Sequence, residues 1–158
     1  MAESRVGLGF DSHPRDAGRK LRLGGLDFGD EPGLAAHSDG DVVCHALADA
    51  LLGAAALGDI GQHFPDDDPG FADMPGVDLL GRVVVLLEEA GFVPIACDLV
   101  VVADRPRFAD RREEMRGRLA EVLGVAPAGV SVKATRAEGL GLTGDGIGCM
   151  ALATIRPG

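Results

Sequence analysis

Two short stretches of the sequence carry residue types that bind metal ions. Asp11 and His13 stand one residue apart at the end of an alternating segment, and side chains at i and i+2 of a strand point to the same face. Taken alone, the pair is also compatible with an ordinary surface aspartate and histidine. A carboxylate beside an imidazole nevertheless suggests two ligands of one cation.

The second stretch places a histidine inside a segment rich in alanine and leucine. Asp41, His45 and Asp49 recur at every fourth residue and therefore share one stripe of a predicted helix. A solvated polar stripe would explain the two aspartates but not the histidine. Together with Asp11 and His13, His45 makes a two-histidine, one-carboxylate set, the ligand class of catalytic zinc with a fourth position left for water or substrate.

Neighbouring residues suggest how such a centre would be completed. Asp49 or Asp41 is placed to accept the second N–H of His45 and so fix its tautomer. His37 and Ser38 precede the helix, where free backbone N–H groups and the positive end of the dipole attract phosphate oxygens. Ser38 is equally compatible with a plain N-cap. The sequence thus predicts that a metal and a phosphate-binding segment converge.

Hydrophobic periodicity predicts the elements that must position these residues. Strands are predicted at 5–10, 20–23, 26–28, 99–103, 130–135 and 147–155, and helices at 39–57 (capped by Ser38 or Asp39), 77–90 and 111–123. Residues 29–33 are predicted to be a turn, and 59–76 a long acidic loop of functional or mobile character. We expect one α/β (α+β) domain over residues 1–158, with helices covering a single mixed β-sheet in a ferredoxin-like, two-layer arrangement.

Composition limits the classes of function. The 158 residues are 46% hydrophobic and 25% charged, which fits one soluble domain, and the net charge of -10 disfavours nucleic acid and anionic lipid as partners. The three cysteines are scattered within apolar segments and are predicted to be buried in a reducing compartment. No N-terminal run has secretory length, and the apolar stretch 42–57 is shorter than the ~20 residues of a bilayer span. We therefore expect a cytoplasmic protein.

Three segments resemble the 2-C-methyl-D-erythritol 2,4-cyclodiphosphate synthase family: GFDSH (9–13), AHSDGDVVCHALADALLGAAALGDIGQHFPDDDP (36–69) and KATRAEGLG (133–141). The resemblance implies a homotrimer with active sites at the subunit interfaces. It also implies a lyase of non-mevalonate isoprenoid synthesis that converts 4-diphosphocytidyl-2-C-methyl-D-erythritol 2-phosphate to the cyclic diphosphate and CMP. In that reaction the substrate's 2-phosphate attacks its own β-phosphorus, so no activated serine or cysteine is needed.

The resemblance also assigns expected metal and catalytic roles. Asp11, His13 and His45 would hold one Zn²⁺ per subunit, and Glu138 would help to bind a second divalent ion, Mg²⁺ or Mn²⁺, at the diphosphate. His37 would stabilise developing charge.

The implied substrate site has three parts. Methylerythritol would lie against the acidic loop, cytosine against the segment after the 99–103 strand, and the phosphates against residues near both metals. The full set is Asp11, His13, His37, Ser38, Asp59, Ile60, Gly61, Phe64, Pro65, Asp66, Asp67, Asp68, Ala103, Arg107, Phe108, Ala109, Thr135, Arg136, Glu138 and Leu142. Without the resemblance, the acidic loop is solvated and Arg107 and Phe108 simply lead into a helix.

Two departures from the family pattern affect these expectations. Arg136 stands where a phosphate-contacting threonine is expected, and the turn 143–146 is about two residues shorter than in relatives with an arginine and a glutamate there. Our hypothesis is that Arg136 supplies a catalytic cation to the diphosphate, since guanidinium pairs well with phosphate. A solvent-facing arginine is the alternative.

Two other classes of function remain open at this stage. A non-haem Fe(II) oxygenase uses the same ligand types, but usually with the order H-x-D/E…H on a jelly roll. A catalytically inactive trimeric protein that binds metal and isoprenoid diphosphates would retain the same residues.

Overall fold

A computed structural model describes residues 3–107, 109–141 and 143–158. The strands are β1 (Arg5–His13), β2 (Arg15–Leu23), β3 (Leu26–Leu34), β4 (Phe92–Val102), β5 (Val130–Thr135) and β6 (Ile147–Pro157). The helices are α1 (Val42–Ala55), α2 (Ile60–His63), α3 (Gly76–Glu89) and α4 (Arg112–Leu123), with short 3₁₀ turns at Pro69–Phe71, Ala109–Arg111 and Pro127–Gly129.

The main sheet has four strands in the order β1-β6-β4-β5. β6 is antiparallel to both of its neighbours, whereas β4 and β5 are parallel, so β1, β4 and β5 all end at the same edge. Helix α1 packs on β1 and β6, and α3 and α4 contact β4 and β5. This confirms the predicted α+β class with a mixed sheet covered by helices. The strands form two sheets rather than the single one expected, because β2 and β3 pair in a separate two-stranded ribbon.

Two glycines allow α1 to lie directly on the backbone of β1. Gly7 and Gly9 face the helix, where an added Cβ would stand 1.9 Å from the carbonyl oxygens of Ala50 and Ala46, respectively. Any larger side chain would therefore force the helix away from the strand. The alternating glycines of this strand were visible in the sequence, but their packing role was not predicted.

The ribbon is longer than predicted, and residues 29–33 belong to β3 instead of forming a turn. Polar residues and glycines hide both strands from a periodicity argument, and the pairing contains register shifts between Asp16 and Arg22. Residues 59–76 contain α2 and a 3₁₀ turn, so the predicted loop has local structure of its own.

The core includes almost the whole of α1, in which all residues except Asp49 and Gly53 are buried. Asp41 and His45 of the predicted polar stripe are therefore buried, whereas Asp49 is half-buried. All three cysteines are buried as predicted, and none of them forms a disulfide. Among the helices of the described ranges, none combines the length and apolar character that crossing a membrane requires.

Candidate metal centre and substrate site

Asp11, His13 and His45 come together in a compact cluster. One ligand atom from each residue lies within 4.8 Å of the others. Asp11 Oδ2 is 3.1 Å from His13 Nε2 and 3.1 Å from His45 Nδ1, and the two imidazole rings are nearly perpendicular, at 83°. It is the only such group of potential metal ligands among the described residues.

Secondary structure explains this arrangement. Asp11 and His13 continue the face of β1 that begins with Gly7 and Gly9, and that face meets α1. The close approach of the helix at the two glycines brings His45 against Asp11. The ligand set therefore depends on a strand period of two and on one helix position.

The electrostatics of the cluster shift the pKa values of Asp11 and His45 in opposite directions. Burial alone would raise the pKa of Asp11, but hydrogen bonds and charges from His13 and His45 lower it to about 2. Burial alone would lower the pKa of His45, but the hydrogen bond and charge of Asp11 raise it above its usual value. An anionic carboxylate between two imidazoles is a donor set suited to a divalent cation.

The structure corrects the predicted outer partner of His45. Its Nε2 lies 3.2 Å from Ser38 Oγ, and neither Asp41 nor Asp49 contacts the ring. Asp49 instead accepts a hydrogen bond from the N–H of Ile60. Ser38 is thus the group placed to fix the tautomer of His45.

Asp41, and not Ser38 or Asp39, is the N-cap of α1. Its completely buried carboxylate accepts hydrogen bonds from the N–H groups of Val43 and Cys44. Two of the first donors of the helix are therefore already satisfied within the chain, and phosphate binding by the preceding segment stays a prediction. His37 and Ser38 lie in the preceding loop.

The cluster opens into a cavity of about 210 Å³. The cavity brings together many of the residues predicted for the metal, the phosphates and methylerythritol: Asp11, His13, His37, Ser38, His45, Ile60, Gly61, Phe64 and Asp66. It also includes Ala36, Phe71, Met74 and Leu79, which sequence reasoning missed because an apolar lining residue has no distinctive pattern.

Some residues of the acidic loop do not line this cavity. Asp59 caps α2 by accepting from the N–H of Gln62, and Asp68 accepts from the N–H of Gly70. Pro65 and Asp67 are also absent from the lining. Local backbone hydrogen bonding thus occupies two of the carboxylates expected to contact a diol.

A second cavity, of about 260 Å³, lies beyond the ends of β4 and β5. It gathers most of the residues predicted for cytosine, together with Arg136: Ala103, Asp104, Pro106, Arg107, Ala109, Arg112, Ala134, Thr135 and Arg136. Arg107 and Arg136 also line an adjoining depression of about 610 Å³. The hypothesis of a cationic site is therefore supported by three arginines, Arg107, Arg112 and Arg136, in one cavity lining.

Of Phe108, Glu138 and Leu142, the structure describes only Glu138. Glu138 is exposed, has a left-handed backbone (φ 52°) and lines neither cavity. Phe108 and Leu142 lie outside the described residues.

The fold and the cluster define an α+β protein with an open metal site of two histidines and one carboxylate. A profile of the YgbB family matches residues 4–156, and the chain belongs to this family. A 2-C-methyl-D-erythritol 2,4-cyclodiphosphate synthase from Symbiobacterium thermophilum is 51% identical over 152 residues, which cover 95% of this chain and 97% of the relative. The resemblance stated from the sequence is thereby confirmed.

Two further relatives extend the comparison. A solved structure of 2C-methyl-D-erythritol-2,4-cyclodiphosphate synthase in a CDP-bound form superposes with a TM-score of 0.88 at 34% identity, covering 96% of this chain and 99% of that one. The bifunctional enzyme IspD/IspF of Desulforudis audaxviator is 52% identical over 148 residues, which are 94% of this chain and 38% of the relative.

Proposed function

We propose that this protein is a lyase that converts 4-diphosphocytidyl-2-C-methyl-D-erythritol 2-phosphate to 2-C-methyl-D-erythritol 2,4-cyclodiphosphate and CMP, within non-mevalonate isoprenoid synthesis. The observation that carries the proposal is the cluster of Asp11, His13 and His45 at a cavity that also contains the predicted phosphate segment. Relatives of the same length carry the name of this synthase. Those names do not favour the inactive alternative.

The donor set fits Zn²⁺, because two imidazole nitrogens and one carboxylate oxygen converge and one side of the cluster remains open to the cavity. Zn²⁺ held there would polarise and align a substrate phosphate as a Lewis acid. Ser38 would keep the His45 ring in one orientation through its contact with Nε2. Glu138 remains our proposed ligand for Mg²⁺ or Mn²⁺, with oxygen chemistry as its support.

The chain's own residues would bind and bend the substrate. His37, in the cavity wall, would stabilise charge that develops on the phosphates, while Ile60, Gly61 and Phe64 would enclose methylerythritol. Holding the 2-phosphate close to the β-phosphorus supplies much of the rate enhancement in an intramolecular reaction.

Arg136 would provide a second cationic contact for the diphosphate. Its place beside Thr135 and Arg107 in the second cavity supports this role. The substitution Arg136→Thr, which restores the family residue, tests it. We expect kcat to fall, whereas unchanged kcat and KM would show that Arg136 only faces solvent.

We further propose a homotrimer in the cytoplasm, with each active site formed between two subunits. The sheet face opposite the helices exposes a cluster of large apolar side chains: Val6, Leu8, Phe10, Met150 and Leu152. Because contiguous exposed apolar patches mark interaction surfaces, this cluster supports the association of subunits. The metal cavity and the cytosine cavity share no lining residue within one chain, which supports sites completed by a neighbour.

The central experiment measures CMP release from the substrate with Zn²⁺ and Mg²⁺. His45→Ala should abolish turnover and lower zinc content, because it removes one ligand from the cluster. His63→Gln is the matched control, since His63 contacts the carbonyl of Leu57 and does not line the metal cavity. Wild-type turnover in His45→Ala would overturn the mechanism, and iron with O₂ consumption would support the oxygenase instead.

Mixing two defective variants tests the interface site. His45→Ala damages only the metal cavity, and Ala103→Trp would fill only the cytosine cavity. Trimers assembled from both should regain activity, up to about a quarter of the wild-type sites, if neighbouring subunits share each site. No recovery in trimers shown to contain both variants would contradict shared sites.

A further inference from the structure

Arg19 holds the loop that carries His37 at two points. Its Nη1 donates a hydrogen bond to the carbonyl of Ala36 at 2.8 Å, and its Nη2 donates to the carbonyl of Ser38. The guanidinium therefore bridges the carbonyl groups of the two residues that flank His37 in the chain. Arg19 belongs to β2, 17 positions from Ala36 in sequence, and is not part of the cavity lining.

A third carbonyl of the loop has a partner from a more distant segment of the chain. The carbonyl of His37 accepts a hydrogen bond from the N–H of Asp73 at 3.1 Å, so the carbonyls of three consecutive residues have partners. Asp73 Oδ1 lies 3.4 Å from Arg19 Nη2, which connects the two contributors. The segment has no helix or strand of its own to hold it. Its conformation therefore depends on these side-chain and loop contacts.

We propose that Arg19 is a positioning residue that sets the place of His37 and Ser38 in the metal cavity. The inference deepens the proposed function and rests on it for the catalytic role of His37. A planar guanidinium presents several N–H groups in a fixed fork and can reach two carbonyls at once, whereas a lysine ammonium is a single point charge. Arginine is thus required by geometry rather than by charge.

The test compares Arg19→Ala and Arg19→Lys with Arg22→Ala. Arg22 lies on the same strand and pairs with Asp27 at 3.2 Å, away from the loop, so its substitution is the matched control. We expect both Arg19 variants to lower kcat by about 10- to 100-fold, with a smaller change in KM, because small displacements of a catalytic group cost rate of that order. Zinc content and the thermal midpoint should remain close to those of Arg22→Ala.

Chemical rescue separates positioning from a general loss of stability. Millimolar guanidinium should restore part of the activity of Arg19→Ala, and methylammonium should not. An unchanged kcat in Arg19→Ala would overturn the proposal. So would a fall in kcat that is matched by loss of zinc or fold and is not rescued.

Nuclear magnetic resonance tests the contact without reference to turnover. In Arg19→Lys the backbone amide signals of residues 36–38 should shift and broaden, whereas Arg22→Ala should leave them in place. Loss of the proposed activity from the wild-type protein would refute the function but not this contact. Unperturbed signals in Arg19→Lys would refute the contact itself.

Discussion

The metal ligands and the substrate loops are held in place by two different physical means. The ligands belong to β1 and α1, which touch through glycines and are fixed by close packing of small residues. The loop 36–39 is fixed instead by guanidinium hydrogen bonds to backbone carbonyls. Packing defines a ligand position through volume, while hydrogen bonds define a loop position through direction.

The two-stranded ribbon also makes such directional contacts with the segment that follows β4. Arg15, on β2, donates to the carbonyl of Arg105, in the segment between the two predicted cytosine-binding residues Ala103 and Arg107. From the opposite direction, Arg111 donates to the carbonyl of Asp27 in the ribbon and lies over the Phe28 ring at 4.9 Å. The ribbon is therefore a support for loops that the main sheet does not reach.

The packing of α1 on β1 should be disrupted most severely by Gly9→Ala. The new methyl group would stand 1.9 Å from the carbonyl oxygen of Ala46 and 2.7 Å from the Ala50 nitrogen, so strand and helix must separate. We expect a loss of at least about 3 kcal/mol in unfolding free energy together with loss of zinc, measured by urea denaturation and metal analysis. Gly81→Ala is the control, because the added Cβ would meet no atom within 4 Å apart from its neighbours in the same helix. This substitution should stabilise α3 by about 1 kcal/mol. Equal stabilities would refute the packing argument.

Asp41 connects the ribbon turn with the start of α1, and its substitution should affect the stability of both elements. Its carboxylate accepts hydrogen bonds from Gly24 and Gly25 at the ribbon turn and from Val43 and Cys44 at the start of α1. In Asp41→Asn, the side-chain NH₂ group would face one of these backbone N–H groups, so two buried donors would lack an acceptor. We expect it to cost about 2–3 kcal/mol in urea unfolding.

Asp27→Asn is the control for that measurement. Asp27 makes the same kind of short-range contact, to the N–H of Gly29, at a more exposed position. It should cost much less in urea unfolding than Asp41→Asn. A comparable loss in the two variants would contradict the linking role of Asp41.

The buried thiols of Cys44, Cys97 and Cys149 should make the free energy of unfolding fall at alkaline pH. Burial raises the pKa of Cys97 from 9.0 to about 12 and also raises the pKa values of Cys44 and Cys149. Above pH 9 the unfolded chain therefore loses thiol protons first, and unfolding becomes easier by up to about 1.4 kcal/mol per pH unit for each thiol. No tyrosine titrates in this range, because the sequence has none.

Urea unfolding between pH 8 and 11 measures this slope. Cys97→Ala should reduce it, since one titrating group is removed while the fold is retained. An identical slope in Cys97→Ala and in the wild type would show that other groups cause the alkaline loss.

The smallest expected effect is that of Arg15→Gln on the cytosine side. If the second cavity holds cytosine as proposed, loss of the contact to Arg105 should weaken CDP binding about fivefold, near 1 kcal/mol, as expected for one hydrogen bond. Calorimetric titration with CDP measures the change, and Arg5→Gln is the control because Arg5 lies over Phe92, away from the ribbon. Equal CDP affinity in the wild type and both variants would show that the contact of Arg15 does not position the cytosine side, and that only Arg19 holds a loop of the site in this way.

The sequence predicted the metal cluster because its geometry follows from local periods. Asp11 and His13 share a strand face, and His45 lies on a helix long enough to show its apolar pattern. The cap of that helix was missed because three neighbouring polar residues were all suitable, and contacts with Gly24 and Gly25 distinguish Asp41.

The arginine contacts could not be predicted for a different reason. Every residue has a carbonyl, so the partners of Arg19 and Arg15 carry no signal in residue type. The contact between Arg15 and the carbonyl of Arg105 also spans 90 positions in the chain. The ribbon itself was underestimated because backbone pairing, rather than an apolar alternation, forms it.

The two faces of β1 determine which changes in chain length the protein tolerates. Its ladder with β6 runs without a break from Arg5 opposite Ile155 to His13 opposite Ile147. Inserting or deleting one residue early in this strand would turn Phe10 toward α1 and Gly9 toward the outer face, exchanging every side chain between helix and exterior. The ribbon already contains register shifts and has room for such length variation. Related chains should therefore differ in length within the ribbon and keep the length of β1 constant.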